Sequence, residues 1–358
     1  MSISNSNERL PSLPFGKIWI LIGFSLFIFI FIWNGFWITR QVGPLPKDDA
    51  NLWAYHRRRV TKEGERAVVL IGSSRMQTGL AQAKFTELTG YNTIQLAIAG
   101  ESPIPVLQNL SEDESFKGIV ISDFSEFLVY TRELYSNSDQ LVNQWIREFK
   151  ESKSSDDFEF MLRGYSRYLL ANPTLGDNPS DSLINIITGK AFKMRSTHKI
   201  AFEAKQTHFD RALIFDFDLY LSKEDKDAIN DLNKKSAIKG LKDFIENTSA
   251  EHERFLSIVV KIERYIQKIN ARGGKVIIVN FPMSGELERL NEIAFPREQF
   301  WDVMTKNSSA DFIHYKDYLQ LQFDCPDGSH LEAKDTPQFT ENLVKIISEK
   351  KNVGITLK

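Results

Sequence analysis

Residues 67–76 read AVVLIGSSRM, an aliphatic run that stops at a glycine and two serines. Five apolar residues without polar alternation suit a strand buried on both faces, the character of a parallel sheet. Three further runs share it: Asn92–Ile98 (NTIQLAI), Gly118–Ser122 (GIVIS) and, much later, Lys275–Asn280 (KVIIVN). Between the first three lie helical stretches. Gln82–Leu88 is closed by Gly90, placed as a C-terminal cap, and Pro103–Leu110 has its proline in the first turn, where no N–H is needed. This β–α–β–α–β alternation predicts an α/β protein, a three-layer α/β/α arrangement around a mainly parallel sheet.

Outward from this core, Ala250–Ala271 places Phe255, Ile258, Val259, Ile262, Tyr265 and Ile266 at helical spacing and ends at Gly273-Gly274. A helix near Arg297–Thr305, a short strand near Phe312–Tyr315 and a last helix over Pro337–Ser348 follow. The stretch 130–248 is charged and helical in pattern, with helices over Gln140–Lys150 and Phe158–Leu170 and breaks at Asn172-Pro173, Gly176 and Pro179. It reads as a helical insertion within one domain spanning 65–358. Residues 1–16 are polar and expected to be disordered, and 40–64 read as a charged link that includes Trp53 and Tyr55.

Residues 17–39 read as a transmembrane anchor. Ile18–Ile38 (IWILIGFSLFIFIFIWNGFWI) contains no charged side chain. As a helix its 21 residues reach about 31 Å, the hydrocarbon thickness of a bilayer. Trp33 and Trp37 sit near one end, as interfacial aromatics do. A cleaved signal peptide would have a shorter apolar run ending in small residues, whereas here Trp-Ile-Thr-Arg follows. Arg40, Lys47, Arg57, Arg58 and Arg59 outnumber Arg9 and Lys17 across the span, which by charge alone favours a cytoplasmic body. Large domains translocate largely regardless of such charge, so orientation stays open at this level. The 358 residues carry Lys+Arg 45 against Asp+Glu 47, a net charge of −2, which gives no sign of a nucleic-acid partner. The single cysteine, Cys325, excludes an internal disulfide and a cysteine-rich metal site.

Two motifs could carry chemistry. Ser73 and Ser74 occupy a strand-to-helix turn at the carboxyl edge of the sheet, where open α/β folds build their sites. They could equally just cap the next helix. Pro326-Asp327-Gly328-Ser329-His330-Leu331 precedes the last helix. An Asp and a His three residues apart can set the carboxylate against the imidazole, leaving its other nitrogen to take a proton. An ordinary Asx turn beside a surface histidine is the plainer alternative.

Taken together, Gly72-Ser73-Ser74 and Asp327-x-x-His330 resemble the SGNH (GDSL-like) hydrolase superfamily over about 65–350, less the helical middle. The resemblance implies Ser74 as nucleophile, with Asp327 and His330 completing a triad. It also implies an oxyanion hole from the backbone N–H groups of Ser74 and of Gly100, in LAIAGESP. Arg75 is a possible substrate-orienting residue, or a partner for a nearby carboxylate. The family's third block offers an asparagine, but here the strand ends Ser122-Asp123-Phe124-Ser125. An aspartate would repel an oxyanion unless protonated or turned away, and Asn280 is the substitute available. The anchor and the two motifs together resemble accessory proteins of teichoic-acid D-alanylation and alginate O-acetylation. That subgroup implies a body facing the periplasm or cell exterior, a membrane-bound O-acyltransferase partner, a polysaccharide acceptor, and no cofactor or metal. Two other outcomes remain: an anchored, non-catalytic accessory or glycan-binding subunit, and a cytoplasm-facing tethered hydrolase. The triad requires Ser74 and His330 to meet on one rim of the sheet.

Overall fold

The computed structural model describes residues 15–38, 48–135, 140–153, 158, 205–207, 210–215, 223–248, 250–350 and 352–358. The protein is α/β, with five parallel strands: β1 (Ala67–Ile71), β2 (Asn92–Gln95), β3 (Ile119–Asp123), β6 (Lys275–Asn280) and β7 (Asp311–His314), ordered β2-β1-β3-β6-β7. A separate antiparallel pair joins β4 (Lys205–Thr207) to β5 (Leu213–Phe215).

The strand residues divide by parity, as the pleat requires. Val69, Ile71, Val120, Val276 and Ile278 belong to one apolar cluster. Val68, Leu70, Ile121, Ile277 and Val279 belong to another. Burial on both faces is what the unalternating runs predict. The first cluster takes in α5 (Ile104–Glu112), α9 (His252–Asn270) and α11 (Trp301–Lys306); the second takes in α3 (Ser74–Gly79), α4 (Gln82–Thr89) and α12 (Thr336–Glu349). Gly90 caps α4 in the left-handed region, φ 74°.

Several expectations change. The run 92–98 is a strand only to Gln95, although the N–H groups of Leu96 and Ile98 still donate to the carbonyls of Leu70 on β1 and of Gly72 just beyond it. The expected disordered N-terminus overlaps α1 (Phe15–Ile38) by two residues. The link 40–64 is not a link from residue 50 onward: α2 (Ala50–Glu63) starts on Asp49, whose carboxylate caps the Leu52 N–H, and Trp53 is fully buried. Its charges misled because one is paired inside the protein. Arg57 is 2% exposed and donates to Asn109 at 2.7 Å and Asp113 at 2.9 Å. In the stretch 130–248 the described parts are the end of α6 (Glu126–Leu134), α7 (Leu141–Glu151), the β4–β5 pair and α8 (Lys223–Asn247). The strand pair was not anticipated, nor was α10 (Gly285–Ala294). Beyond Phe158, the helix expected to Leu170 and the breaks at 172–179 lie outside the described residues.

Among the described residues, one helix, α1, is long and apolar enough to cross a membrane, and none of its apolar window is buried in protein.

Candidate active site

β1 delivers its last residue to a tight turn. Gly72 has φ 141°, and a Cβ there would come 2.6 Å from Asp123 Cβ at the end of β3, so only glycine allows the two strand ends to close up. Ser73 is the N-cap of α3. Its Oγ accepts from the Arg75 N–H at 3.3 Å and donates to Asp123 Oδ2 at 2.7 Å, and the residue is 2% exposed. Ser74 is half-buried, and its Oγ lies 2.8 Å from His330 Nε2. The two serines therefore divide the two readings of the motif: Ser73 caps the helix and Ser74 meets the imidazole.

The Asp-x-x-His turn forms by its own local chemistry. The Gly328 N–H donates to the Cys325 carbonyl at 2.8 Å with φ 92°, a value that favours glycine. Asp327 Oδ1 accepts the N–H groups of Ser329 (3.0 Å) and His330 (2.9 Å), an Asx turn, while Oδ2 takes His330 Nδ1 at 2.7 Å. The Nδ1–H thus points to the carboxylate, and Nε2 presents its lone pair to the Ser74 hydroxyl. Asp327 is 4% exposed. Burial pushes its carboxyl up, but His330, as charge and hydrogen-bond partner, and the two N–H donors outweigh burial and hold the pKa at about 2.

Gly100 lies in the turn after β2, with φ 75°. The Ile98 N–H bond to the Gly72 carbonyl (3.0 Å) brings that turn beside the Gly72–Ser74 turn. The Gly100 carbonyl accepts Arg132 Nε (3.0 Å) and Nη2 (2.6 Å). Arg132 also approaches Glu101, whose carboxyl burial pushes up against the pull of that arginine.

The chain matches no protein-family model and no curated protein.

Asp123 is 1% exposed and turned toward Ser73. Asn280 Nδ2 donates one of its two N–H groups to Glu126 Oε1 at 3.0 Å. Arg75 is 6% exposed, and its guanidinium donates to the Phe281 carbonyl. Among the described residues it forms no direct ion pair, so the carboxylate partner is not found. The long side chain of Arg75 turns inward under the turn that its neighbour exposes. Glu126, at the start of α6, was overlooked. Burial pushes it up to about 7, with Arg75 pulling down and Asp123 pushing up. The Asp-x-x-Glu spacing at the end of β3 was the visible signal.

Proposed function

We propose that the protein is a membrane-anchored serine acyl transferase or esterase of SGNH type, acting on O-acyl groups of cell-envelope or extracellular polysaccharide. The single observation that carries this is the chain Ser74 Oγ–His330 Nε2 (2.8 Å) and His330 Nδ1–Asp327 Oδ2 (2.7 Å). These are hydrogen-bond distances for a nucleophile, its base and the base's orienting carboxylate. The sheet buried on both faces fits a three-layer α/β/α domain with a helical insertion.

In the proposed reaction His330 takes the proton from Ser74 as Oγ bonds to the acyl carbon. The N–H groups of Ser74 and Gly100 receive the oxyanion, each such donor lowering the barrier by about 3–4 kcal/mol. Collapse breaks the bond to the leaving oxygen, which takes the proton from His330. Water or a glycan hydroxyl then cleaves the acyl-serine by the same steps in reverse. Asp327, ionised well below neutral pH, stabilises the imidazolium throughout. With α1 as a single-pass anchor, the body belongs in the periplasm or outside the cell, beside a membrane-bound O-acyltransferase.

Asp123 in place of an asparagine favours a second reading, an anchored accessory or glycan-binding subunit without turnover. A p-nitrophenyl acyl ester separates the two. Wild type should release p-nitrophenol and carry an acyl adduct on Ser74 by mass spectrometry, while Ser74→Ala should do neither. Equal background rates and no adduct leave the non-catalytic reading.

A further inference from the structure

The chain enters its soluble body at a particular place. Asp48 stands ten residues beyond Ile38, the last residue of α1. Its carboxylate accepts Gln77 Nε2 at 3.0 Å, and Gln77 lies on α3 one turn beyond Ser74. The same carboxylate takes Arg211 Nε (2.7 Å) and Nη2 (3.0 Å). Arg211 is fully buried, with φ 65°, and its Nη1 and Nη2 also donate to the carbonyls of Gln95 and Ala97, both at 2.9 Å. Those carbonyls lie at the carboxyl end of β2, just ahead of Gly100. Asp48 is therefore pinned on the rim that carries Ser74 and Gly100. Removing either charge would strand the other inside the protein, so the pin is a firm one.

From this point α2 carries the chain away from the rim. Near its start Trp53 Nε1 donates to the Leu96 carbonyl at 2.9 Å, and at its end Glu63 accepts from Asn92, the first residue of β2. The tether thus joins the body at the carboxyl ends of the strands, not at their amino ends.

Length makes this matter. Ten residues span at most about 36 Å, while a domain of this size measures roughly 50 Å across. Attachment at the opposite pole would set the width of the body between bilayer and site. We infer that the site works on an ester substrate held at the bilayer surface rather than on one diffusing freely. This rests on the acyl-transfer reading, but the geometric part is tested without it.

The full chain is reconstituted in vesicles containing acceptor-labelled lipid headgroups. Two single variants each carry one donor dye on an introduced thiol. Lys334→Cys lies between His330 and α12, and Lys117→Cys just ahead of β3 at the other pole; both side chains are exposed, and the native Cys325 is buried. A donor at position 334 should transfer energy to the lipid more strongly than one at position 117, and equal or reversed transfer overturns the inference. The second arm inserts a spacer of about 20 Gly/Ser residues between Leu45 and Pro46. Turnover of a lipid ester in the same vesicles should fall about fivefold through lost effective concentration, with p-nitrophenyl acetate turnover unchanged. Unchanged lipid-ester turnover also overturns it. Wild type inert toward both esters sinks the acyl-transfer reading instead, and the energy-transfer arm still decides which pole faces the membrane.

Discussion

Two buried acidic groupings stand on the same rim of the sheet and hold their charge in opposite ways. Asp327 is 4% exposed, yet both its oxygens are occupied, one by two backbone N–H groups and the other by the imidazole. It stays ionised. Asp123 and Glu126, at the end of β3, are equally buried, but Asp123 Oδ1 meets no partner among the described residues and Glu126 retains its proton up to about pH 7. Burial alone does not set protonation; the donors aimed at each oxygen do. The first grouping sets a carboxylate against the neighbouring imidazole. In the second, beneath the Gly72–Ser74 turn, Glu126 is the group whose carboxyl burial pushes up.

The sharpest way to break this contrast is Asp327→Asn. The amide would present an N–H to Nδ1 and favour the wrong tautomer, so the ester turnover proposed above should fall about 10⁴-fold. Steady-state kinetics checks this, and turnover within tenfold of wild type would show that the carboxylate does not orient the base.

The next effect belongs to Glu126. Its folded pKa, about 7, lies above its ordinary value of 4.5. The stability it contributes is therefore complete below pH 4.5 and lost as pH rises to about 7. The loss amounts to about 3 kcal/mol across that window. Urea denaturation at several pH values should show the slope, and Glu126→Gln should flatten it. An identical slope in the variant would locate the proton elsewhere.

Ser73→Ala probes the same grouping with a smaller effect. It removes the N-cap of α3 and the hydroxyl on Asp123, and should cost about 1–2 kcal/mol of stability by the same titration. A neutral result would mean that the cap carries no weight.

Three of the five sheet strands, β1, β3 and β6, were legible to within a residue, and β2 in its start but not its end, because a strand buried on both faces reads as a short apolar run whatever surrounds it. The fifth, β7, was legible to within one residue. The Asp327–His330 turn was legible because an Asx turn is local chemistry. The helix α2 was not, since its three consecutive arginines look solvated until Asn109 and Asp113 are brought to Arg57. Nor was the β4–β5 pair, whose neighbour Arg211 takes a left-handed backbone and is held by groups more than 100 positions away, Asp48 and the carbonyls of Gln95 and Ala97. The inward course of Arg75 was not legible, because nothing within a few residues says which side of a six-residue helix faces the core.

By itself the sequence determined the strands, the apolar helix and the residue types available for chemistry, since these follow from periodicity, composition and turn preference over a few neighbouring positions. Only the tertiary structure decided that Ser74 rather than Ser73 meets His330, 256 positions away, that Asp123 turns inward, and that the chain ahead of α2 joins the body at the rim that carries Ser74. Those outcomes depend on which distant groups satisfy a buried hydrogen bond, and that is settled when the sheet assembles.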